Sequence, residues 1–522
     1  VCINPLRIRV WTLKIKLSFE FYHIKSNDMK LNKSIYNNLP IIVSYLYILL
    51  FVYAAVSKII DFQNFQVQLG QSPLLSAFAG FISYTVIAFE LLIAILLSYS
   101  RTRNIGIHLA CILMVLFTLY IFIVLNYSTF IPCSCGGVLE SMSWQTHLWF
   151  NVIFVILAWG SLNVIYKYNR KINFRVLAII LTSSIFMFGL YLASDNIIYK
   201  RNNFVRRFPP FPTKRVDVKD LKFNSYYFAG KDEKNVYLGN HSAPALIVVL
   251  DTTLTVANNY KIKITDTLFD FHNIQLRVLP PYFFLFDGTV PCVFRGNLND
   301  SIALLQTTKI PGFTKAEVID SSTLVIRTLS EKRENLLSTI DIHTGQVKKS
   351  APNLLQKQID GLFDTDGTLQ YSSKQEKLVY LYYYRNEYTV TDYELNLLKR
   401  GNTIDTTSRA KIKMEYVESR KERKFSTPPF LVNRISAIHN NLLFVNSMLP
   451  GRYDEIKMWK NANVIDVYDI LTKTYVMSLY IYKIDGDKID DLIVTNSHLF
   501  VLIGSNLVSY KLSESLQSKY KN

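Results

Sequence analysis

IIVSYLYILLFVYAAVSKII, Ile41 to Ile60, is a run of twenty residues with one charge, Lys58, near its end. Strands of globular proteins are usually about 5–6 residues long. A helix of about 20 apolar residues spans the hydrocarbon core of a bilayer, so this run predicts a transmembrane helix. Four more runs fit the same length: Ala77–Leu97, Ile105–Leu125, Trp144–Tyr166 and Val176–Ala193, the last the shortest but uncharged. Beyond Ser194 the apolar residues change habit. They fall into short alternating runs separated by turn residues, such as ALIVVLDTTLT and PPYFFLFDGTV. That period-two pattern marks strands and hairpins. The chain therefore divides into a membrane all-α helical bundle, a four-helix core plus a fifth transmembrane helix, followed by an all-β, propeller-like soluble domain.

The length of 522 residues allows two or three domains. The expected boundaries are 1–28 as a non-native or disordered extension, 29–170 for the four-span bundle and 171–198 for the fifth span. A basic linker over 199–215 and a β-domain over 216–515 follow. Residues 1–28 lack the apolar core of a signal peptide, and Met29 opens a basic lead, MKLNKSIYNNLP, into the first span. Met29 is thus expected to be the natural start, with a basic cytoplasmic tail as the alternative.

Fifty-eight Lys and Arg against 40 Asp and Glu leave a formal charge of +18. Basic blocks flank the apolar runs, which points to membrane topology and anionic lipid. No RNP, zinc-finger or helix-turn-helix pattern accompanies the charge, so nucleic acid is not an expected partner. Lys30 and Lys33 precede the first span, Arg101 and Arg103 separate the second and third, and Lys167, Arg170, Lys171 and Arg175 separate the fourth and fifth. The loops Asp61–Ser76 and Asn126–Ser143 contain no Lys or Arg. This alternation places the N-terminus in the cytoplasm and the β-domain outside a bacterial inner membrane, in the periplasm. Lys200, Arg201, Arg206 and Arg207 run against the rule, because they follow the fifth span on its expected outer side. If that span did not cross, the β-domain would be cytoplasmic.

Two of the five cysteines, Cys133 and Cys135, lie one residue apart in FIPCSCGGVLESMSW, between the third and fourth spans. Outside the cytoplasm such a pair can close a disulfide, and a small strained ring has an oxidising potential suited to exchange. Gly136 and Gly137 leave the backbone free to turn. The bland alternatives are an inert pair, or a staple to Cys111 or Cys292, each of which reads as a buried small hydrophobe. His147 is close in sequence, but a CxC with one histidine is a poor zinc or copper set, and no metal is expected.

Glu90 lies in the middle of the second span and Lys58 at the outer end of the first. Ionisable groups inside a span are expensive and point to function. Lys58 could snorkel to the interface. Glu90 is deeper, and could stay protonated, pair with a neighbouring helix or serve proton movement. His108 and Cys111 share a face of the third span, with His108 at its cytoplasmic edge.

These residues form a recognisable order: Tyr53-x4-Lys58-x2-Asp61-x3-Phe65, then Phe89-Glu90-Leu91, then Cys133-x-Cys135-Gly136-Gly137, then His147 and Asn151. The combination resembles the MauE branch of the DoxX-like membrane proteins, named for methylamine utilisation, over about Lys30 to Tyr166. It is most similar to fused forms with a β-rich C-terminal part. The resemblance implies a four-helix core and redox maturation of an extracytoplasmic protein, with quinone as an acceptor in some members. The family loop usually reads Cys-Gly-Cys-Phe-Gly. Here Ser134 separates the cysteines and no Phe follows, which keeps the pair but alters the loop.

The expected function is thiol–disulfide exchange with a periplasmic client or thioredoxin-like partner, carried by Cys133, Cys135, Glu90, Lys58 and His147. The alternative is a non-enzymatic anchor that presents the β-domain. In the β-part, unit starts about 40–55 residues apart predict five to seven propeller blades, with six favoured. The polar stretch Thr403–Pro429 reads as an insertion. Asp485–Lys488, DGDK, reads as a hairpin turn rather than a calcium loop. No nucleophile elbow, P-loop or HExxH occurs, so any catalysis belongs to the membrane half.

Overall fold

In lipid a backbone can satisfy its own polar groups only within helices or closed barrels. In a computed structural model of the chain each of the five long apolar runs is a helix. The structure describes residues 33–72, 75, 78–127, 142–167, 169–193, 202–265, 269–418 and 421–521. Cys133, Cys135, Lys30, Lys200, Arg201 and the expected extension 1–28 lie outside them.

The spans are α1 (Lys33–Ile60), α3 (Ala79–Ser98), α4 (Arg103–Tyr127), α5 (Trp144–Ile165) and α6 (Arg170–Ala193). Between the first two lies α2 (Phe62–Gln71), where the sequence suggested only a loop. Its FQNFQVQLGQ is too polar and too short for a span. Its apolar Phe65 and Leu69, one helical turn apart, nevertheless pack with Ala55, Ala79 and Ile87. The helix α6 begins six residues before the expected Val176, so Arg170, Lys171 and Arg175 ride on its first turns rather than in a loop.

The bundle packs α1 against α3 and α5, and α4 against α3, α5 and α6. Its core joins Val43, Tyr47 and Phe51 of α1 to Ile93 and Leu97 of α3, Cys111 and Met114 of α4, and Leu162 of α5. Small residues permit close approach. A Cβ on Gly106 would stand 2.9 Å from the Leu97 side chain, so a larger residue there would push Leu97 of α3 aside. Large apolar side chains such as Phe81, Trp149, Phe174 and Ile185 face outward, as a lipid-covered surface requires.

The β-unit is built from six antiparallel four-stranded groups, over residues 226–261, 274–307, 313–351, 367–402, 433–482 and 489–512, the first two joined into one larger sheet by a parallel bridge between Gly230 and Val278. The innermost strands are Tyr226–Lys231, Ile274–Leu279, Phe313–Val318, Gly367–Ser372, Asn433–His439 and Ile489–Val494. Each touches the next, and the last touches the first, so the ring closes. The final sheet takes its outer strand from the start of the unit. Thr213–Asp220 pairs antiparallel with Asn506–Leu512, from Thr213 opposite Leu512 to Asp220 opposite Asn506. This clasp closes a six-bladed propeller-like domain without an open ring edge.

Two expected irregular stretches are ordered. Arg206, placed in a basic linker by sequence, is buried in the β-unit. Its Nε and Nη2 donate to Asp466 at 2.8 and 3.0 Å, Nη1 donates to Asp454, and Nη2 also reaches Ser447 Oγ and Leu449 O. Arg207 donates to the carbonyls of Tyr475 and Val476. These two cations thus serve the β-fold rather than a membrane flank. The insertion forms a hairpin, Met414–Val417 with Glu422–Phe425, and residues 412–429 group with the helical unit. There Glu418 N donates to Gln63 Oε1 at 3.2 Å and Lys424 Nζ to Asn64 Oδ1 at 3.0 Å, both on α2. A Cβ on Gly70 would collide with the carbonyl of Ser426. Asp485–Lys488 makes a turn, with Asp487 N donating to Ile484 O at 2.8 Å.

Candidate functional site

The second span carries Glu90 as its single charged residue, and the side chain is fully buried. A lone carboxylate in such surroundings needs a partner. It has one: Lys58 Nζ of α1 donates to Glu90 Oε1 at 2.6 Å, with side-chain exposures of 12 % and 1 %. Lys58 therefore turns inward, and the snorkelling alternative is set aside. Phe65 of α2 stands under the same ammonium at 5.6 Å from its ring centroid, a cation–π contact that fixes the lysine from a third side.

The helix α5 brings two more polar groups to the bundle interior. Its N-terminus is capped by Ser143, whose Oγ accepts from Thr146 N at 3.2 Å, a standard means of satisfying a first-turn donor. One turn in, His147 lies within electrostatic reach of the Lys58 charge. One turn further, Asn151 is buried. Among the described residues, Glu90 Oε2, His147 Nδ1 and Asn151 Nδ2 are all buried without a hydrogen-bond partner. Buried polar atoms are ordinarily satisfied; these three lie on α3 and α5, both of which pack against α1 and α4.

Of the residues expected from sequence, Lys58 and Glu90 touch and His147 lies close to Lys58. Cys133 and Cys135 fall outside the described residues. Cys111 and Cys292 are free and buried. His108 bonds its own helix, with Nδ1 2.8 Å from Asn104 O. The 32-residue separation between Lys58 and Glu90 hides their pairing in the sequence. Phe65 was visible only as a spacing.

The β-unit holds a second set of ionisable groups that sequence did not single out. They sit one apiece on five of the six innermost strands. Arg277 Nε lies 3.8 Å from Glu317. Lys231 donates to Ile438 O at 3.1 Å, to Val494 O, and meets His439 Nδ1 at 3.2 Å. Asp491 accepts from Phe228 N at 2.9 Å. Enclosure by the six strands pushes Glu317 up to about 7, drops Lys231 to about 7 and drops His439 to about 4. Burial likewise raises Asp491 to about 6, against the opposing pull of the Phe228 N–H.

Asp491 gives a clear pH prediction. Its folded-state pKa is above the ordinary 3.8, so its protonated form favours folding. That contribution is fully present below about 3.8 and lost as pH rises through about 6. Asp491→Asn should remove about 1–3 kcal/mol of this decline, since each tenfold change in proton affinity is worth about 1.4 kcal/mol. Urea unfolding of the β-unit between pH 4 and 7 checks it. Equal pH slopes for the variant and the parent would refute the assignment.

The fold and its polar interior define a multi-pass membrane protein, with five spans among the described residues, bearing a propeller-like β-domain. Within it, residues 36–164 match the family model of the Methylamine utilisation protein MauE, a segment running from α1 into the last turn of α5. No curated protein matches the chain. Among solved structures the chain is similar to a DUF4221-family member from Bacteroides vulgatus at 14% identity, covering 60% of this chain and 99% of that one with a TM-score of 0.38. It is also similar to a catalytically inactive virginiamycin B lyase from Staphylococcus aureus with quinupristin. There the identity is 9%, the coverage 58% and 100%, and the TM-score 0.35.

Proposed function

We propose that the protein is a membrane thiol–disulfide redox protein in the bacterial inner membrane, acting on an extracytoplasmic partner through Cys133 and Cys135. A reduced partner dithiol attacks the Cys133–Cys135 disulfide. The partner leaves as a disulfide, and the pair is left as two thiols. Reoxidation passes two electrons and two protons to a membrane quinone, giving quinol and restoring the disulfide. The observation that supports this reading is the buried Lys58–Glu90 pair with its orphaned neighbours. Glu90 Oε2 and His147 Nδ1 can each take and release a proton. His147 sits one turn inside the helix that follows the cysteine loop in sequence. The β-domain would hold the client.

Trapping the thiols of Cys133 and Cys135 by alkylation in intact cells, with and without respiratory quinone, tests this. The pair should accumulate as thiols when quinone is depleted. A pair that stays oxidised under both conditions sinks the relay, and leaves the spans as an anchor for the β-domain.

A further inference from the structure

A cavity of about 430 Å³ opens on the β-unit, remote in sequence from the ring groups and lined by Arg206, Phe208, Tyr453, Asp454, Glu455, Tyr480 and their neighbours Met458 and Tyr482. Its size suits a small molecule or a single side chain. Its chemistry is selective. Phe208 stacks on Tyr480 with ring centroids 4.2 Å apart and planes 5° from parallel. Tyr480 and Tyr482 stand two apart on the edge strand Thr474–Tyr482 and so share a face. Tyr453 and Tyr482 are largely exposed, although large aromatic side chains are usually buried.

Two carboxylates complete the walls. The Asp454 side chain is 4% exposed. Its hydrogen bonds from Arg206 Nη1, Gly451 N and Trp459 Nε1 all fall on Oδ2. Oδ1 accepts none among the described residues. Glu455, the residue that starts the short helix α7 (Ile456–Asn461), makes no side-chain cap bond. Its carboxylate has no ion pair among the described residues. The cation in the floor is Arg206, and it is fully engaged. Its nitrogens are held by Asp466, Asp454, Ser447 and Leu449 O, and its face lies between Phe204 and Trp459 at 4.8 and 5.4 Å. One guanidinium against Asp454 and Asp466 leaves that cluster negative, and Glu455 adds to it. An anion finds no free cation among the lining residues.

We infer that this pocket binds an organic ammonium group, seated on Asp454 Oδ1 with Glu455 at the rim and the Tyr480 and Tyr482 rings as walls. Aromatic faces attract cations. A single free oxygen suits a compact ammonium better than the two-pronged guanidinium, which seeks a bidentate carboxylate. A cation already lies against one of these rings, since Arg452 stands over Tyr453 at 5.6 Å from its centroid. The ammonium could be a quaternary head group or a lysine side chain of another protein, and the same site chemistry serves both.

Saturation-transfer NMR on the full chain in a maltoside detergent decides it, with choline, Nα-acetyl-lysine amide and 3,3-dimethylbutanol as probes. The last has the shape of choline without its charge. Choline or the lysine amide should bind at least about 5-fold more tightly than the neutral isostere. Glu455→Gln and Tyr482→Ala should each weaken that binding about 3–10-fold with the unfolding temperature unchanged. Tighter binding of choline assigns the site to quaternary ammonium, tighter binding of the amide to a protein lysine. Equal binding of the neutral isostere, absence of binding by both cations, or variants that bind like the parent would each overturn the proposal.

Discussion

Glu90→Ala is expected to destabilise the helical unit by about 3–5 kcal/mol, the usual result of breaking a buried ion pair from one side. The loss comes from what is left behind. Lys58, at 12% side-chain exposure, would keep its position beside Phe65 without a counter-charge, in a region where one unpaired cation costs about 2.5–3.5 kcal/mol even on the mildest insertion scale. Lys58→Met should do the same to Glu90, whose second oxygen already lacks a partner. The double variant Lys58→Met with Glu90→Leu removes both charges and should recover most of the lost stability, because apolar replacements of buried pairs are often neutral. The readouts are the yield of monodisperse protein in detergent and its thermal unfolding. Thiol trapping then separates structure from chemistry. A double variant that folds but no longer cycles Cys133 and Cys135 makes the pair part of the proton route. One that folds and cycles normally makes it a strut. A Glu90→Ala protein as stable as the parent would mean that the pair carries no weight at all.

Much of this architecture is legible in the chain itself, for a physical reason. A span must be long and apolar, so α1, α3, α4 and α5 announce themselves within a few residues of their ends. Glu90 stands out because one charge in such a run has no cheap explanation. Blades announce themselves through hairpins, local structures whose strands pair with the next stretch of sequence. What the sequence hides is whatever depends on distant partners. FQNFQVQLGQ looks like a loop until Phe65 and Leu69 meet residues of α1 and α3. TKRVDVKD, at the clasp strand Thr213–Asp220, is too charged to read as a strand, and finds its pairing partner nearly three hundred residues later. Lys231, Glu317 and Asp491 sit on three different strands of ordinary half-buried pattern, where polar residues normally mean solvent. Only closure of the ring brings those strands together, and only then do burial and charge shift their proton affinities.

Arg206 is the sharpest of these cases, and its substitution separates a linker residue from a folded one. In a basic linker Arg206→Met would change stability by no more than about 0.5 kcal/mol, as exposed positions do. In the structure the guanidinium joins Asp454 and Asp466, which come from different parts of the 433–482 blade region, to Ser447 and Leu449 O. Its removal would leave two buried carboxylates facing each other without a cation. The expected loss is about 3–5 kcal/mol in the urea unfolding of the β-unit. Adding Asp454→Asn and Asp466→Asn to Arg206→Met should return part of the loss, since the amides need no counter-charge. The residue also lies seven positions before the clasp strand. Its loss should therefore free residues 202–212 first, seen as faster amide exchange at Arg207, whose own side chain holds the carbonyls of Tyr475 and Val476. Unchanged stability and exchange in Arg206→Met would return this segment to the linker that its composition suggests.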